Sequence, residues 1–182
     1  MTTLDRGDET RTRILQAACR LFAERGYAAT SLADIAAEVG LTKTAVAYHF
    51  HPKDRLAAEI IAPAAGEALA LVDTDFGADH EALIDALVRF LVRHRAMIRL
   101  LMEDISGADI PQPGTNRDAI RAFRDEIELK LAGPDPTEAD HLRAWAILGA
   151  LQYGVAKTMD LPDETVRETL RAAVLALHAS RP

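Results

Sequence analysis

The sequence has a single cysteine, Cys19, so no disulfide can close within the chain, and the polar start MTTLDRGDETR has no apolar signal-peptide core behind it. Both features predict a cytoplasmic protein. Long hydrophobic runs are absent too. The most apolar stretch, 57–72, is interrupted by Glu59, Pro63, Gly66 and Glu67 and falls short of the ~18 unbroken apolar residues a spanning helix needs, which excludes a membrane-inserted helix. Aromatic residues make up only 5%, whereas hydrophobic residues reach 49% and are dominated by Ala and Leu, a palette of packed helices rather than of β-sandwiches. Excess positive charge is also lacking: the net charge is -7, which would oppose nucleic-acid binding if it were evenly spread. It is not evenly spread. Residues 1–55 hold eight Lys/Arg against seven Asp/Glu, or +1, and the remainder carries -8, an asymmetry that permits a DNA-contacting N-terminal module on an acidic body. At 182 residues the chain is at the upper end of one ordinary domain and long enough to bury a continuous core.

What is present is helical periodicity. Ile14, Ala17, Ala18, Leu21 and Phe22 recur at helical spacing and Gly26 follows, which predicts a first helix over roughly residues 9–25. Ser31 stands three residues before Asp34, a capping-box pattern, and Leu32, Ile35, Ala36 and Val39 form a short stripe stopped by Gly40. Thr42 can cap a third short helix through His49, and Pro52 suits the entry of a fourth beginning near Lys53, which Pro63 should kink or interrupt. Leu83, Leu87, Phe90 and Leu91, then Ile98, Leu101, Met102 and Ile105, predict helix broken near His94 and Arg95. The stretch SGADIPQPGT at 106–115 reads as a loop, Ile120, Phe123, Ile127 and Leu131 mark a further helix, and two more span roughly 136–158 and 163–179. About nine helices result, an all-α fold.

The second and third helices are too short to be stable alone. The connection Val39-Gly40-Leu41-Thr42 allows a sharp turn, with a small residue at Ala36, apolar anchors at Val39 and Val46, and a glycine where a positive φ is needed. That is a helix-turn-helix. The run GYAATSLADIAAEVGLTKTAVAYHFHPKDRL resembles the N-terminal signature of TetR-family transcriptional regulators over about residues 10–62: the leading helix ends in LFAERGY, Thr30-Ser31 precedes the second helix, and Tyr48-His49-Phe50 closes the third. The sequence departs from the family pattern at Ala47, where a tyrosine is usual, at Thr44, where glycine is frequent, and at Pro52, where a capping serine is common. The resemblance implies a three-helix DNA-binding domain over 1–52 and a helical effector-binding and dimerisation domain over 53–182.

A recognition helix presents residues near its N-terminus to base edges while hydroxyls and cations hold phosphates. With Val46 and Phe50 inward, Lys43 and Thr44 are assigned to base edges or adjacent phosphates and Ala45 to a thymine methyl. Thr42, Tyr48, His49 and Lys53 are assigned mainly to phosphates, and Thr30 and Ser31 to the capped N-terminus of the second helix. Catalysis has no signature: His80-Glu81 does not continue to H-E-x-x-H, no nucleophile elbow or phosphate-cradling loop occurs, and His49-x-His51 has no partner spaced to complete a metal site. No cofactor or metal is assigned.

In the C-terminal body Phe90, Met102, Phe123, Trp145, Gln152 and Tyr153 are candidate lining for a small-molecule effector cavity between helices. The last two helices carry more apolar residues than one buried face needs, so Leu148, Leu151, Val155, Val166, Leu170, Val174 and Leu177 are assigned to a homodimer interface. The resulting expectation is a ligand-responsive regulator, a repressor that binds a palindromic operator in double-stranded DNA as a homodimer and is released by a small molecule of unknown identity. The alternative is a helical small-molecule-binding or enzymatic protein that keeps the helix-turn-helix only as a scaffold.

Overall fold

A computed structural model of the protein describes residues 3–105 and 116–180. Among the described residues there are nine helices and no strands: α1 (Thr3–Arg25), α2 (Leu32–Val39), α3 (Lys43–His49), α4 (Lys53–Asp73), α5 (His80–Arg93), α6 (Arg95–Ile105), α7 (Asn116–Ala132), α8 (Glu138–Lys157) and α9 (Asp163–Ala179). The loop expected at 106–115 lies outside the described residues. The first helix starts at Thr3 instead of near residue 9, because its opening turns are polar and carry no apolar stripe for periodicity to detect. The break expected near His94 is there, between α5 and α6.

Two apolar cores divide the molecule. In the first, Ile14, Ala17, Ala18, Leu21 and Phe22 of α1 meet Ile35 and Ala36 of α2 and Val46 of α3, with Phe50 closing the cluster. Two later residues complete it, Leu56 from the first turns of α4 and Leu100 from the middle of α6. The second core is built by the remaining length of α4 with α5 to α9, and holds Leu87, Ile127, Ile147 and Leu151 without solvent exposure. Each such side chain contributes roughly 1.5–3 kcal/mol by leaving water.

The expected interruption at Pro63 does not occur: α4 runs from Lys53 to Asp73 with Pro63 inside it. Proline forfeits one backbone hydrogen bond to the preceding turn, a cost of about 3 kcal/mol in an isolated helix. Here the ring faces solvent, while Leu56, Ala64 and Leu71 on the other side of the helix are buried and hold both of its halves against the two cores.

Candidate nucleic-acid interface

The turn between α2 and α3 is closed by backbone geometry that glycine makes available. Gly40 adopts φ 68° and ψ 33°, and the Leu41 amide donates to the Ala36 carbonyl at 2.8 Å, satisfying an end of α2 that would otherwise be unpaired. At the opposite end Ser31 and Asp34 form a reciprocal capping box: the Asp34 amide donates to Ser31 Oγ at 3.2 Å, and the Ser31 amide and hydroxyl donate to Asp34 Oδ2 at 2.8 and 2.6 Å. Those bonds from Ser31 hold the Asp34 carboxyl below the usual carboxylate range. Thr42 caps α3 in the same way, its hydroxyl oxygen accepting from the Ala45 amide at 3.2 Å.

Cations of α1 secure α2 from behind. Arg13 donates to the Val39 carbonyl at 2.9 Å and Arg20 pairs with Glu38 at 2.7 Å. With α2 fixed, α3 lies over the core on Val46 and Phe50, both without exposure, and turns the rest of its surface outward. Thr42, Lys43 and Thr44 are exposed, Tyr48 is 87% exposed, and Ala45 and His49 are half-buried. Lys43 has no acidic side chain within ion-pair distance among the described residues, so its ammonium is presented to solvent. The Tyr48 ring stands edge-on to His49 with centroids 5.4 Å apart, which restrains both side chains without covering either. Ala47 packs partly buried against the first core.

Besides the caps Ser31 and Thr42, two more of the residues assigned to DNA from sequence are already engaged by the protein. Thr30 is 1% exposed, and its hydroxyl donates to the Gly26 carbonyl at 2.8 Å and lies 3.3 Å from that of Leu21, so it locks the α1–α2 turn; the N-cap is Ser31 alone. Lys53 donates to the carbonyls of Tyr27 at 2.8 Å and Thr30 at 3.0 Å, and its ammonium sits 3.9 Å above the Tyr27 ring. Tyr27 in turn donates its hydroxyl to Asp54, and Arg11 pairs with Glu59. Sequence reasoning missed this strap of Tyr27, Asp54, Arg11 and Glu59. Its one local signal is the aromatic residue placed directly after the Gly26 helix stop.

In the body, the candidate effector residues do not converge. Phe90 and Phe123 meet with centroids 5.5 Å apart, and Met102 packs half-buried on the same core. Trp145 and Tyr153 lie instead on the exposed side of α8, where Arg124 covers the Trp145 ring at 4.9 Å, and Gln152 is half-buried. The interface assignment needs correction for a related reason. Leu148, Leu151, Val155, Val166 and Val174 are buried in the chain's own core, and Leu170 and Leu177 pack against it half-buried, so these residues are not what the two helices leave uncovered. The uncovered stripe of α8 is Leu142, Ala146, Gly149 and Tyr153, and that of α9 is Thr165, Thr169, Ala172 and Ala176. Leu142 and Tyr153 stand at the two ends of the α8 stripe with the small residues Ala146 and Gly149 between them, and the α9 stripe is made of small residues only.

No helix among the described residues is long and apolar enough to cross a membrane. Residues 14–60 match the family model described as bacterial regulatory proteins, tetR family. An HTH-type transcriptional repressor of Mycobacterium tuberculosis is 35% identical over 131 residues, covering 69% of this chain and 66% of that protein. The HTH-type transcriptional regulator AcrR of Shigella flexneri is 43% identical over 58 residues, 32% of this chain and 27% of that protein. The matched segments thus span about two thirds and about a quarter of those relatives. A TetR family transcriptional regulator, PfmR of Thermus thermophilus, superposes with a TM-score of 0.65 at 23% identity, covering 100% of this chain and 98% of that one, a likeness of fold. A capped, tightly crossed helix pair on a shared core, matched by the family model and carried on a body of the same architecture, establishes that this chain belongs to the TetR family of bacterial regulatory proteins.

Proposed function

We propose that the protein is a ligand-responsive transcriptional repressor that binds a palindromic operator as a homodimer and releases it when a small molecule occupies the body. The observation that carries the DNA-binding reading is the outer face of α3: Thr42, Lys43 and Thr44 exposed at its N-terminus and Tyr48 one turn on, over an inner face anchored by Val46 and Phe50. Lys43 and Thr44 read base edges or the phosphates beside them, Ala45 meets a thymine methyl, and Thr42, Tyr48 and His49 hold phosphates. The Ser31-capped N-terminus of α2 offers a further phosphate contact. Thr30 and Lys53 act through the strap that positions these groups. The acidic body, at -8, repels the duplex everywhere except at the head, which favours a single docking orientation.

The division into a reading head over 1–52 and a responding body over 53–182 belongs to this proposal. The uncovered stripes of α8 and α9 pair with those of a second copy in a four-helix contact, and two-fold symmetry sets the two α3 helices about one DNA turn, ~34–36 Å, apart. A ligand that favours a different separation shifts the dimer off its operator by that difference in affinity. The partners implied are double-stranded DNA, a small-molecule effector and a second copy of this chain.

Selection of duplexes from a random library with purified protein tests the reading. The expected result is an inverted repeat whose affinity falls with salt by about 0.9 log units per log unit of salt for each neutralised phosphate, and falls again in Lys43→Ala. A folded protein that enriches no duplex would overturn it and favour a helical small-molecule-binding protein that uses the helix pair as scaffold.

A further inference from the structure

The turn that joins α8 to α9 is held from another helix rather than by a cap of its own. Pro162, the N-cap of α9, makes no side-chain cap bond, whereas the far end of α8 carries a complete capping box of Thr137 and Asp140. Arg95, the first residue of α6, reaches across instead. Its Nη1 donates to the carbonyls of Thr158 at 3.2 Å and Leu161 at 3.0 Å, and its Nη2 pairs with Asp163, the first residue of α9, at 2.7 Å. A guanidinium is a rigid planar fork, so three acceptors drawn from three positions of the turn fix its orientation as well as its place. Just before the turn the two helices close on each other: a Cβ at Gly154 would stand 2.6 Å from Leu170 Cδ2. The α8–α9 pair therefore moves as one piece with its turn.

One helical turn further along, the same helix holds the head. Arg99 donates to the carbonyl of Ala23 in the last turn of α1, and Leu100 enters the head core. Arg95 and Arg99 are four residues apart, hence on one face of α6 and about 6 Å apart along its axis. The path from the α8–α9 turn to the head is thus a single turn of a single helix. The other path is α4, which runs unbroken from the head core at Leu56 to the body core at Ala64 and Leu71. Two attachments instead of one deny the head free rotation about α4.

We propose that Arg95 is a positioning residue for operator recognition: by clamping the α8–α9 turn to α6 it fixes the pose of each head on the dimer-forming helices and so sets the one half-site spacing that the dimer accepts. This rests on the regulator reading above, in which α8 and α9 form the two-fold contact. With those helices at the dyad, any play between them and the head enters the separation of the two α3 helices twice, once from each copy. A spacing one base pair off shifts a half-site by ~3.4 Å and turns it by roughly a tenth of a turn. A stiff joint rejects that site and a loose one follows it. Arg95 itself touches no DNA and acts through α6.

The test compares the duplex selected by the full chain with versions whose half-sites are one base pair closer or further apart, and with an isolated half-site. The unaltered protein should prefer its selected spacing by about tenfold or more and Arg95→Ala by about threefold or less. Binding to the isolated half-site should stay within about twofold, since the reading face is untouched. Arg95→Lys keeps the charge opposite Asp163 but offers no fork to the two carbonyls, so its preference should be intermediate, and it serves as the test variant if Arg95→Ala does not fold. A second measurement needs no DNA: nitroxides at the exposed head position Ala29→Cys, in a Cys19→Ser background, read the distance between the two heads of the dimer by pulsed electron resonance. One narrow distance is expected, broadened by Arg95→Ala. A spacing preference and a distance distribution both unchanged in Arg95→Ala overturn the assignment, and so does an equal loss of affinity at every spacing and at the half-site, which is what a merely structural role produces. A chain with no head-to-head distance and no selected inverted repeat removes the dimeric regulator reading, and the spacing role falls with it; a dimer that ignores Arg95 removes that role alone.

Discussion

Lys43 and Lys53 are both cations of the helix-turn-helix region, and the structure gives them different work that a salt titration separates. Lys53 makes two bonds to carbonyls, at 2.8 and 3.0 Å, and lies over the Tyr27 ring at 3.9 Å. A hydrogen bond from a charged group contributes about 1.5–3 kcal/mol and a partly exposed cation–π contact about 0.5–1 kcal/mol. Freed rotamer entropy returns up to about 2 kcal/mol, and the Tyr27 carbonyl keeps the Thr30 amide as a donor, so Lys53→Met should cost about 2 kcal/mol. For a chain of this size that is a fall in Tm of roughly 4–8 °C. The logarithmic salt dependence of operator binding, measured well below that Tm, should be unchanged, because no phosphate contact is lost. Lys43→Ala should do the opposite, leaving Tm within about 1 °C, since the side chain is exposed, and flattening the salt slope by about 0.9. A Lys53→Met protein with unaltered Tm and a slope reduced by about one would refute the strap and return Lys53 to the DNA.

Thr30→Val keeps the shape of a buried side chain but removes the hydroxyl from the Gly26 and Leu21 carbonyls, so it should lower chemical-denaturation stability by about 1–2 kcal/mol while operator affinity per folded molecule stays within twofold. The carboxyls of Asp34 and Asp140 are held below their ordinary value of 3.8 by their capping partners Ser31 and Thr137, and that of Glu67 below 4.5 by His94. Groups with a lowered folded-state pKa stabilise the fold fully above those ordinary values and progressively less as pH falls through the folded ones, so Tm should decline below about pH 4.5 and decline less steeply in Ser31→Ala and Thr137→Ala. Gly149→Arg should abolish any dimer seen by sedimentation at micromolar protein while preserving Tm of the monomer, because a side chain added at Gly149 meets open space; a dimer that survives would place the contact elsewhere.

Apolar spacing in the sequence was enough to read the helices, because each buried stripe is local. Ile14, Ala17, Leu21 and Phe22 declare α1 whatever they pack against, and Ser31 with Asp34 declares a start whose capping box is present. Destinations across the chain are not local. Nothing in the identity of Lys53 states that two carbonyls 23 and 26 residues earlier stand within reach, and a buried threonine reads the same as an exposed one. The same limit misdirected the interface assignment. Leu148, Leu151 and Val155 are taken by the monomer core, whereas Leu142 and Tyr153, no less apolar by residue type, stay outside beside Ala146 and Gly149, and only the packing of α8 against its neighbours separates the two sets. Which side of α3 faces outward was also legible, since a helix with Val46 and Phe50 inward has one remaining side to expose.

The head cannot be moved by α4 alone. Leu56 enters the first core from α4, but Leu100 enters it from α6, where it is 5% exposed on a helix that packs against both α1 of the head and α8 of the body. Head and body therefore share structural side chains, and their stabilities should be coupled. Leu100→Ala removes a buried side chain and leaves a cavity, at a cost of about 2–5 kcal/mol. If the head were an independent unit resting on α4, that loss would be confined to body amides. The shared core predicts instead that α2 and α3, more than fifty residues away in sequence, lose backbone hydrogen-exchange protection by about thirtyfold or more, the equivalent of the lower end of that range. Unchanged protection at Ile35 and Val46 in Leu100→Ala would break the argument, because it would mean that α6 touches the head without supporting it.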